Sequence, residues 1–532
     1  MTDPLKPTGL VPDSFQTIAD QLRENAARRG DASAMISVED GKTLSWEDLY
    51  HLTTRVGHLM RSMGISANDR IAVLGENSID NLILYYGIQA YGATYCTINV
   101  EVNRHHLLEM LQRIQPKAVF WQADLNADDL RTGDPGTWID FGAYDGAGDG
   151  LFALLDSMPD HPSIDPVNDP EDRSVISFTS GTSAQPKGVL HCFSNYYAIA
   201  QHQRERWSLT EDDRVLEFRS FSWASAHMLS LNPVLVTGAT LLFAKMFSRS
   251  KFLDWISYYR PTVIIAVPTV VNMLLESPPD DAKSAFNGVR FVSCSTAPLM
   301  PEQHRRFENV YGVPLVQLYG MSEGGVVAAN YPNSRRIGSV GRPGLYHCIT
   351  ISGPNGETLK QGEIGEIETH SAQHAQAYLH ADGEIEPIRG HALKTGDIGY
   401  LDEDGFLIVT GRARDVIIRG GVNIAPLEID AVLTQHDAVA EAATFGVPDQ
   451  IYGEEVASWI TVMPDRSVTP DDLSRHCAAQ LPDSKCPKHI QIVDEIPKND
   501  RGKIDRNAVK AAWMKTVRAD RENRAPPKNG KP

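Results

Sequence analysis

The sequence predicts an α/β protein: a large N-terminal domain of parallel-rich sheets covered by helices, then a smaller α+β domain. Two observations carry this. Short β-branched runs alternate with helical patterns through most of the chain, and strands separated by helices pair in parallel. The chain also has 532 residues, more than a single hydrophobic core organises. The buried-strand runs are Arg70–Leu74, Lys117–Phe120, Ser174–Phe178, Leu241–Ala244, Thr262–Val267 and Val289–Ser293, with a helix expected near Leu82–Ala90. After Asp397 the texture changes. Two short strands between Gly399 and Leu407 flank an Asp404-Gly405 turn, the signature of a hairpin. The polar run Gly411–Asp415 follows as a connector, placing a domain boundary near Arg412–Arg414. The domains are therefore expected at 1–411 and 412–517, and the charged, Pro-containing residues 518–532 read as a flexible tail.

Composition narrows the class. Hydrophobic residues make up 42% and charged residues 22%, the balance of an ordinary globular protein. Lys+Arg total 50 against 68 Asp+Glu, a net charge of −18, which disfavours wholesale binding to nucleic acid or anionic membrane. A few local cations can still hold an anionic ligand. The six cysteines are scattered without a C-x-x-C pair or zinc spacing, so a reduced, cytoplasmic setting is expected and a zinc site is not. No signal-peptide pattern opens the sequence, and no run reaches the roughly 20 apolar residues that span a bilayer.

The most informative stretch follows the strand Val175–Phe178. It runs Thr179, Ser180, Gly181, Thr182, Ser183, Ala184, Gln185, Pro186, Lys187, Gly188. Four hydroxyls, a turn glycine and a lysine make a compact donor set for phosphate oxygens. Alone it equally suits a flexible surface loop, and it is not the G-x-x-x-x-G-K-[ST] loop of ordinary nucleotide hydrolases. Three further motifs follow in order: Tyr319-Gly320-Met321-Ser322-Glu323, Thr395-Gly396-Asp397, and Pro497–Ile504 with Gly502-Lys503 at its centre. An aromatic face beside a carboxylate suits a flat base and a hard cation.

Together these motifs resemble the signatures of the adenylate-forming superfamily, which includes acyl-CoA synthetases, peptide-synthetase adenylation domains and beetle luciferases. The resemblance covers roughly Leu44–Val509. It implies a small barrel-like subdomain in the large domain and a mobile C-terminal domain carrying a catalytic lysine, Lys503. The reaction implied is activation of a carboxylic acid with ATP and Mg²⁺ to an acyl-adenylate, then transfer to coenzyme A. By the same resemblance Thr179, Ser180, Gly181, Thr182, Ser183 and Lys187 hold phosphates. Thr296, Ala297, Pro298, Tyr319, Gly320 and Met321 line the adenine. Ser322 contacts phosphate, Glu323 and Thr182 hold the metal, Asp397 and Arg412 take the ribose, and Lys503 bridges the acid and the α-phosphate. Arg414 sits at the hinge, and Arg419, Gly420 and Gly421 form the thiol-side loop, where the two glycines suit either a thin backbone or a simple turn.

Departures from the family pattern bear on the acid. Relatives more often carry glycine at the positions of Ala184, Ser295 and Thr296. Ser222 stands near where many acyl-CoA synthetases have histidine and amino-acid-activating relatives have aspartate, which argues against an α-amino acid. Trp223 is a pocket gate or core, and His227, also placed by the acyl pocket, reads as a packing or supporting residue rather than a base. Gly320 stands where acetate-activating relatives place tryptophan, implying an open pocket walled by Gly324 and Val326 and a medium or larger apolar or aromatic acid. Competing readings are transfer to a carrier-protein pantetheine, a luciferase-like oxygenase and a non-catalytic nucleotide-binding module. The partners expected are the acid, ATP and CoA, in a monomer or homodimer.

Overall fold

A computed structural model describes residues 15–101, 104–123, 125, 130, 137–142, 151–159, 166–178, 187–344, 346–380, 382–499 and 502–524. Two large sheets form the body of the N-terminal domain. In the nine-stranded sheet the central strands, Ser33–Ser37, Thr240–Phe243, Arg214–Glu217, Val263–Ala266, Phe291–Cys294 and Leu315–Met321, all run parallel. The eight-stranded sheet has a parallel half, Arg70–Leu74, Thr94–Ile98, Ala118–Gln122, Thr137–Phe141 and Arg173–Phe178. Its other half is antiparallel: Gly188–Cys192, Ala377–Leu379 and Ile385–Pro387.

The alternation of strand and helix explains this layering. Strands such as Val263–Ala266 are buried on both faces, which only a sheet covered by helices on either side provides. Helix Ile79–Tyr91 is apolar nearly all round and lies between the two sheets, with Leu82, Ile83, Leu84 and Ile88 fully buried. Its Ser78 hydroxyl caps the amide of Asn81, and Gly92 closes it in the left-handed region.

The small subdomain is a four-stranded antiparallel sheet, His347–Ser352, Gly365–Ser371, Leu393–Leu401 and Leu407–Arg412. The expected hairpin forms its last two strands, turning at Gly405 with φ of 79°. Beyond it, Ala413–Asp415 make one 3-10 turn with no buried residue. The C-terminal unit is a five-stranded sheet built on the long pair Val439–Asp449 and Gly453–Val462, packed against helices Pro426–Leu433 and Pro470–Ala478. The last helix spans Arg506–Arg524, so regular structure continues past position 518, where the sequence placed the start of a tail. Among the described residues no helix is long and apolar enough to cross a membrane.

Candidate active site

The parallel strands of the nine-stranded sheet end in Cys294 and Met321, and the loops beyond their carboxyl ends form one rim, the usual place for a ligand in open α/β sheets. At that rim Tyr319 donates its hydroxyl to Asp397 Oδ2 at 2.5 Å. Asp397 and Arg412 are directly opposite in the hairpin, and Arg412 Nε lies 2.8 Å from Asp397 Oδ1. Burial raises the Asp397 carboxyl above its ordinary pKa, while Arg412, Tyr319 and Lys503 pull it back down. Tyr319 is raised well above its ordinary value by burial and by the neighbouring carboxylate, so its hydroxyl remains a donor. Asp397 is thus held as an anchored carboxylate by three donors or cations from three segments.

Glu323 lies at the turn between Leu315–Met321 and Gly325–Ala329. Tyr378 donates its hydroxyl to Glu323 Oε1 at 3.1 Å, and Lys187 Nζ sits 4.7 Å from the centre of the Tyr378 ring. Burial pushes the Glu323 carboxyl up, opposed by Tyr378, Lys187 and Arg412. A carboxylate so held, beside the lysine of the phosphate loop, fits a hard cation shared with phosphate oxygens. Thr179, Ser180, Gly181, Thr182 and Ser183 lie outside the described residues. Their flanks are fixed by the antiparallel pairing of Phe178 with Gly188. Ser322 contributes its backbone carbonyl, 2.9 Å from His191 Nε2. Tyr378 was missed in the sequence because its partner is 55 positions away and nothing local marks it.

Lys503 reaches this corner from the C-terminal unit. Asn499 N donates to the Lys503 carbonyl at 2.8 Å, and Gly502, at φ of 70°, accepts at its carbonyl from Thr269 Oγ1 at 3.3 Å. A Cβ on Gly502 would lie 2.8 Å from Thr269 Oγ1, so only glycine lets the loop approach this closely. Lys503 is near enough to favour the ionised Asp397 carboxylate, and Gly502 beside it touches Thr269 of the large domain. Arg414 lies in the exposed 3-10 turn, 3.5 Å from Asp415 Oδ1.

The other C-terminal candidates lie apart from this corner, on the hairpin Ile417–Arg419 and Val422–Ile424. Gly420 and Gly421 are its two turn residues, with φ of 57° and 84°. A two-residue turn with both φ positive explains the glycine pair by itself. Arg419 is fixed by a forked contact with Glu455, 2.6 and 3.1 Å, and covers the Tyr452 ring at 4.3 Å.

On the rim beyond Cys294, at the position expected to face the adenine, Thr296 adopts φ of 75°. A β-branched residue is strained there, which gives the physical reason glycine suits this position. Ala297 and Pro298 follow it on the rim, ahead of helix Pro301–Tyr311. Ser222 is buried and pairs with Ser220 Oγ at 3.0 Å, and Trp223 is half-buried. His227 opens a π-helical turn, His227–Leu231, a geometry that recurs at functional sites. Its ring lies among Tyr85, Tyr95 and Tyr196, with Nε2 2.7 Å from Phe221 O, and burial lowers its pKa to about 3. Burial among these rings keeps the imidazole neutral.

A Cβ on Gly320 would sit 2.5 Å from the carbonyl oxygen of Gly325, where the strand pair is bulged. The close strand-to-strand approach gives glycine a packing reason here, beside the open pocket expected from it. Gly324 and Val326 are buried beside it, with Val326 part of the main core.

Comparison with known proteins agrees with this geometry. Residues 22–379 match the family described as AMP-binding enzyme, and residues 428–503 match the AMP-binding enzyme C-terminal domain. The chain therefore belongs to the AMP-binding enzymes, the adenylate-forming superfamily, whose CoA-ligase members use ATP, Mg²⁺ and CoA. It is 30% identical to a sulfoacetate–CoA ligase of Cupriavidus necator over 93% of this chain and 97% of that one. It is 27% identical to the long-chain-fatty-acid–CoA ligase FadD13 of Mycobacterium tuberculosis, covering 94% of this chain and all (100%) of the relative. ATP-bound MatB from Rhodopseudomonas palustris superposes with a TM-score of 0.84 at 25% identity, over 94% of this chain and 100% of MatB.

Proposed function

We propose that the protein is an AMP-forming ligase that joins a carboxylic acid to coenzyme A by way of an acyl-adenylate. The observation that carries this reading is the convergence of Lys503, from the C-terminal unit, on the Tyr319–Asp397–Arg412 corner. Two anions, the acid carboxylate and the α-phosphate, must approach one another there, and a cation between them lowers the barrier as charge gathers on phosphorus. The acid oxygen forms a bond to the α-phosphorus as the bond to pyrophosphate breaks. A thiolate then attacks the acyl carbon, and AMP leaves. Asp397 and Arg412 orient the ribose, Tyr319 presents its ring to the base, and Glu323 holds the metal beside the Lys187 phosphate loop. Bound there, Mg²⁺ would offset the charge of the departing pyrophosphate.

The domains at 1–411 and 412–517, the hinge at Arg414 and thiol entry beside the 417–424 hairpin belong to the same proposal, as does a cytoplasmic setting. Exposed Ile418, Val422 and Ile451 around the hairpin suit an apolar thiol arm brought in by rotation. The relatives act on acids as unlike as sulfoacetate and a long-chain fatty acid, so the acid is read from this chain's own residues.

The test is pyrophosphate release from Mg·ATP across a panel of carboxylic acids, with and without CoA. Release that depends on one acid class, yields its CoA thioester and falls about 100-fold or more in Lys503→Ala is expected. A Lys503→Ala protein that keeps full release would sink the reading.

A further inference from the structure

Behind the wall formed by Gly324, Gly325 and Val326 lies a guanidinium without a counterion. Arg206, in the last turn of helix Phe193–Trp207, is 3% exposed. Its neighbours are neutral: Gln203 Oε1 at 3.3 Å from Nη1, His202 Nε2 at 3.3 Å from Nη2, and the Tyr331 ring at 6.0 Å. Among the described residues it forms no ion pair with a carboxylate. Its Nε has no hydrogen-bond partner, and neither has the Gln203 side-chain nitrogen or His347 Nδ1. Burial lowers the pKa of Arg206, with Tyr331 favouring its charge.

This fold pairs a buried arginine elsewhere. Arg219, 4% exposed, is gripped by Glu217 through contacts of 2.9, 3.2 and 2.5 Å, and Ser230 completes that carboxylate. A buried charge is costly unless paired, and removing one partner of such a pair is strongly destabilising. The carbonyl end of the helix offsets part of the cost for Arg206 through its dipole but satisfies none of the orphaned donors.

The position of the cluster says what satisfies them. His347 Nε2 lies 2.8 Å from the carbonyl oxygen of Gly324, which makes that nitrogen the donor. A Cβ on Gly344 would lie 3.0 Å from Arg206 Nη2, from His347 Nδ1 and from Val326 O alike. The cluster is thus packed directly on the segment that follows Glu323, and two consecutive glycines keep the partition thin. A Cβ on Gly325 would in turn lie 3.3 Å from Ile199, on the helix that carries Arg206.

We propose that Arg206, Gln203 and His347 form an oxyanion-binding end of the acid pocket, and that the acid carries a second anionic group, a carboxylate or a sulfonate, opposite the carboxylate that is activated. This rests on the ligase reading above and differs from the apolar or aromatic acid expected from Gly320. The distal oxyanion accepts from Arg206 Nε and the Gln203 amide, and its charge draws a proton onto His347, whose pKa burial holds at about 3 without it.

The test compares pyrophosphate release with propanoate, pentanoate and benzoate against malonate, succinate, glutarate and sulfopropanoate. A preference for the dianionic acids is expected, and the dicarboxylate and sulfonate arms decide which oxyanion fits. Arg206→Gln should lower kcat/KM for the preferred dianionic acid by about 100-fold while leaving KM for ATP unchanged. Should that variant fail to fold, wild-type protein with ATP answers the same question: a dianionic acid raises its melting temperature and the matched monoanionic acid does not. Preference for monoanionic acids, or equal loss with both classes in Arg206→Gln, overturns the proposal and leaves the ligase reading standing. No release with any acid overturns both.

Discussion

The nucleotide corner and the acid end of the site both gather charge, and they treat it in opposite ways. At the nucleotide corner the charges are matched in the fold itself: Asp397 with Arg412 and the Tyr319 hydroxyl, Glu323 with the Tyr378 hydroxyl and Lys187 nearby. At the acid end Arg206 is nearly as buried as any core residue and its contacts are neutral. Matched charges preorganise a site that serves one invariant ligand, because the groups are already oriented when it arrives. An unmatched buried charge does the reverse. It makes folding costlier and makes binding selective, since only a ligand of opposite charge recovers the loss.

The first way to break this comparison is to unmatch the nucleotide corner. Asp397→Asn keeps the shape but removes the charge facing Arg412, and turns a ribose acceptor into a weaker one. A hydrogen bond to a charged group contributes about 1.5–3 kcal/mol, so kcat/KM for ATP should fall about 10- to 100-fold. The dependence on acid concentration should stay as it was. Steady-state kinetics with ATP and acid varied separately check this, and an equal effect on both substrates would mean that the two ends are not separate.

A milder change tests the metal side. Tyr378→Phe removes one hydroxyl from Glu323, a contribution of about 0.5–1.5 kcal/mol, so roughly 2- to 12-fold more Mg²⁺ should be needed for half-maximal rate. The sign of the pH effect follows. Burial already raises the Glu323 carboxyl, and Tyr378 lowers it. Metal binding needs the carboxylate, so activity is lost as pH falls through that pKa. Losing the hydroxyl raises the pKa, and the acid limb of the rate profile should move to higher pH. A limb that stays in place would remove Glu323 from the metal.

The two ends also differed in how much the sequence disclosed. The nucleotide corner was legible because its residues sit in short, ordered motifs: Tyr319 to Glu323, Asp397, Arg412 and Lys503 were each named from their resemblance to a family's signatures, and the structure brings Tyr319, Asp397, Arg412 and Lys503 together. The parallel strands were legible too, Arg70–Leu74 to the residue, because a double-sided apolar run leaves few alternatives. The acid end was not. Arg206 in a helix reads as one more surface cation, since burial is set by contacts with Tyr331 and the Gly344–His347 segment more than a hundred positions away. Nor does the motif disclose that Gly320 faces the Gly325 carbonyl across a strand pair. Helix Arg506–Arg524 runs past position 518, the expected start of the tail, because charged residues suit an exposed helix as well as a tail.

The smallest effect sharpens the comparison from the stability side. If the acid end bears its folding cost as an unmatched charge, the nucleotide end bears one as backbone strain, at Thr296 with φ of 75°. A β-branched residue in that region costs about 1–3 kcal/mol, whereas glycine adopts it freely and loses about 0.5–1 kcal/mol in unfolded-chain entropy instead. Thr296→Gly should therefore stabilise the large domain by about 1 kcal/mol. In a domain this size that is an upward shift of about 1–2 °C in its melting transition. Thermal unfolding without ligand and with saturating ATP separates the two terms. A gain without ATP that disappears with it means the threonine side chain contributes to nucleotide binding what its backbone costs in folding. A gain that persists in both means the strain serves no purpose at the site, and no gain in either means the surrounding loop relaxes to remove it.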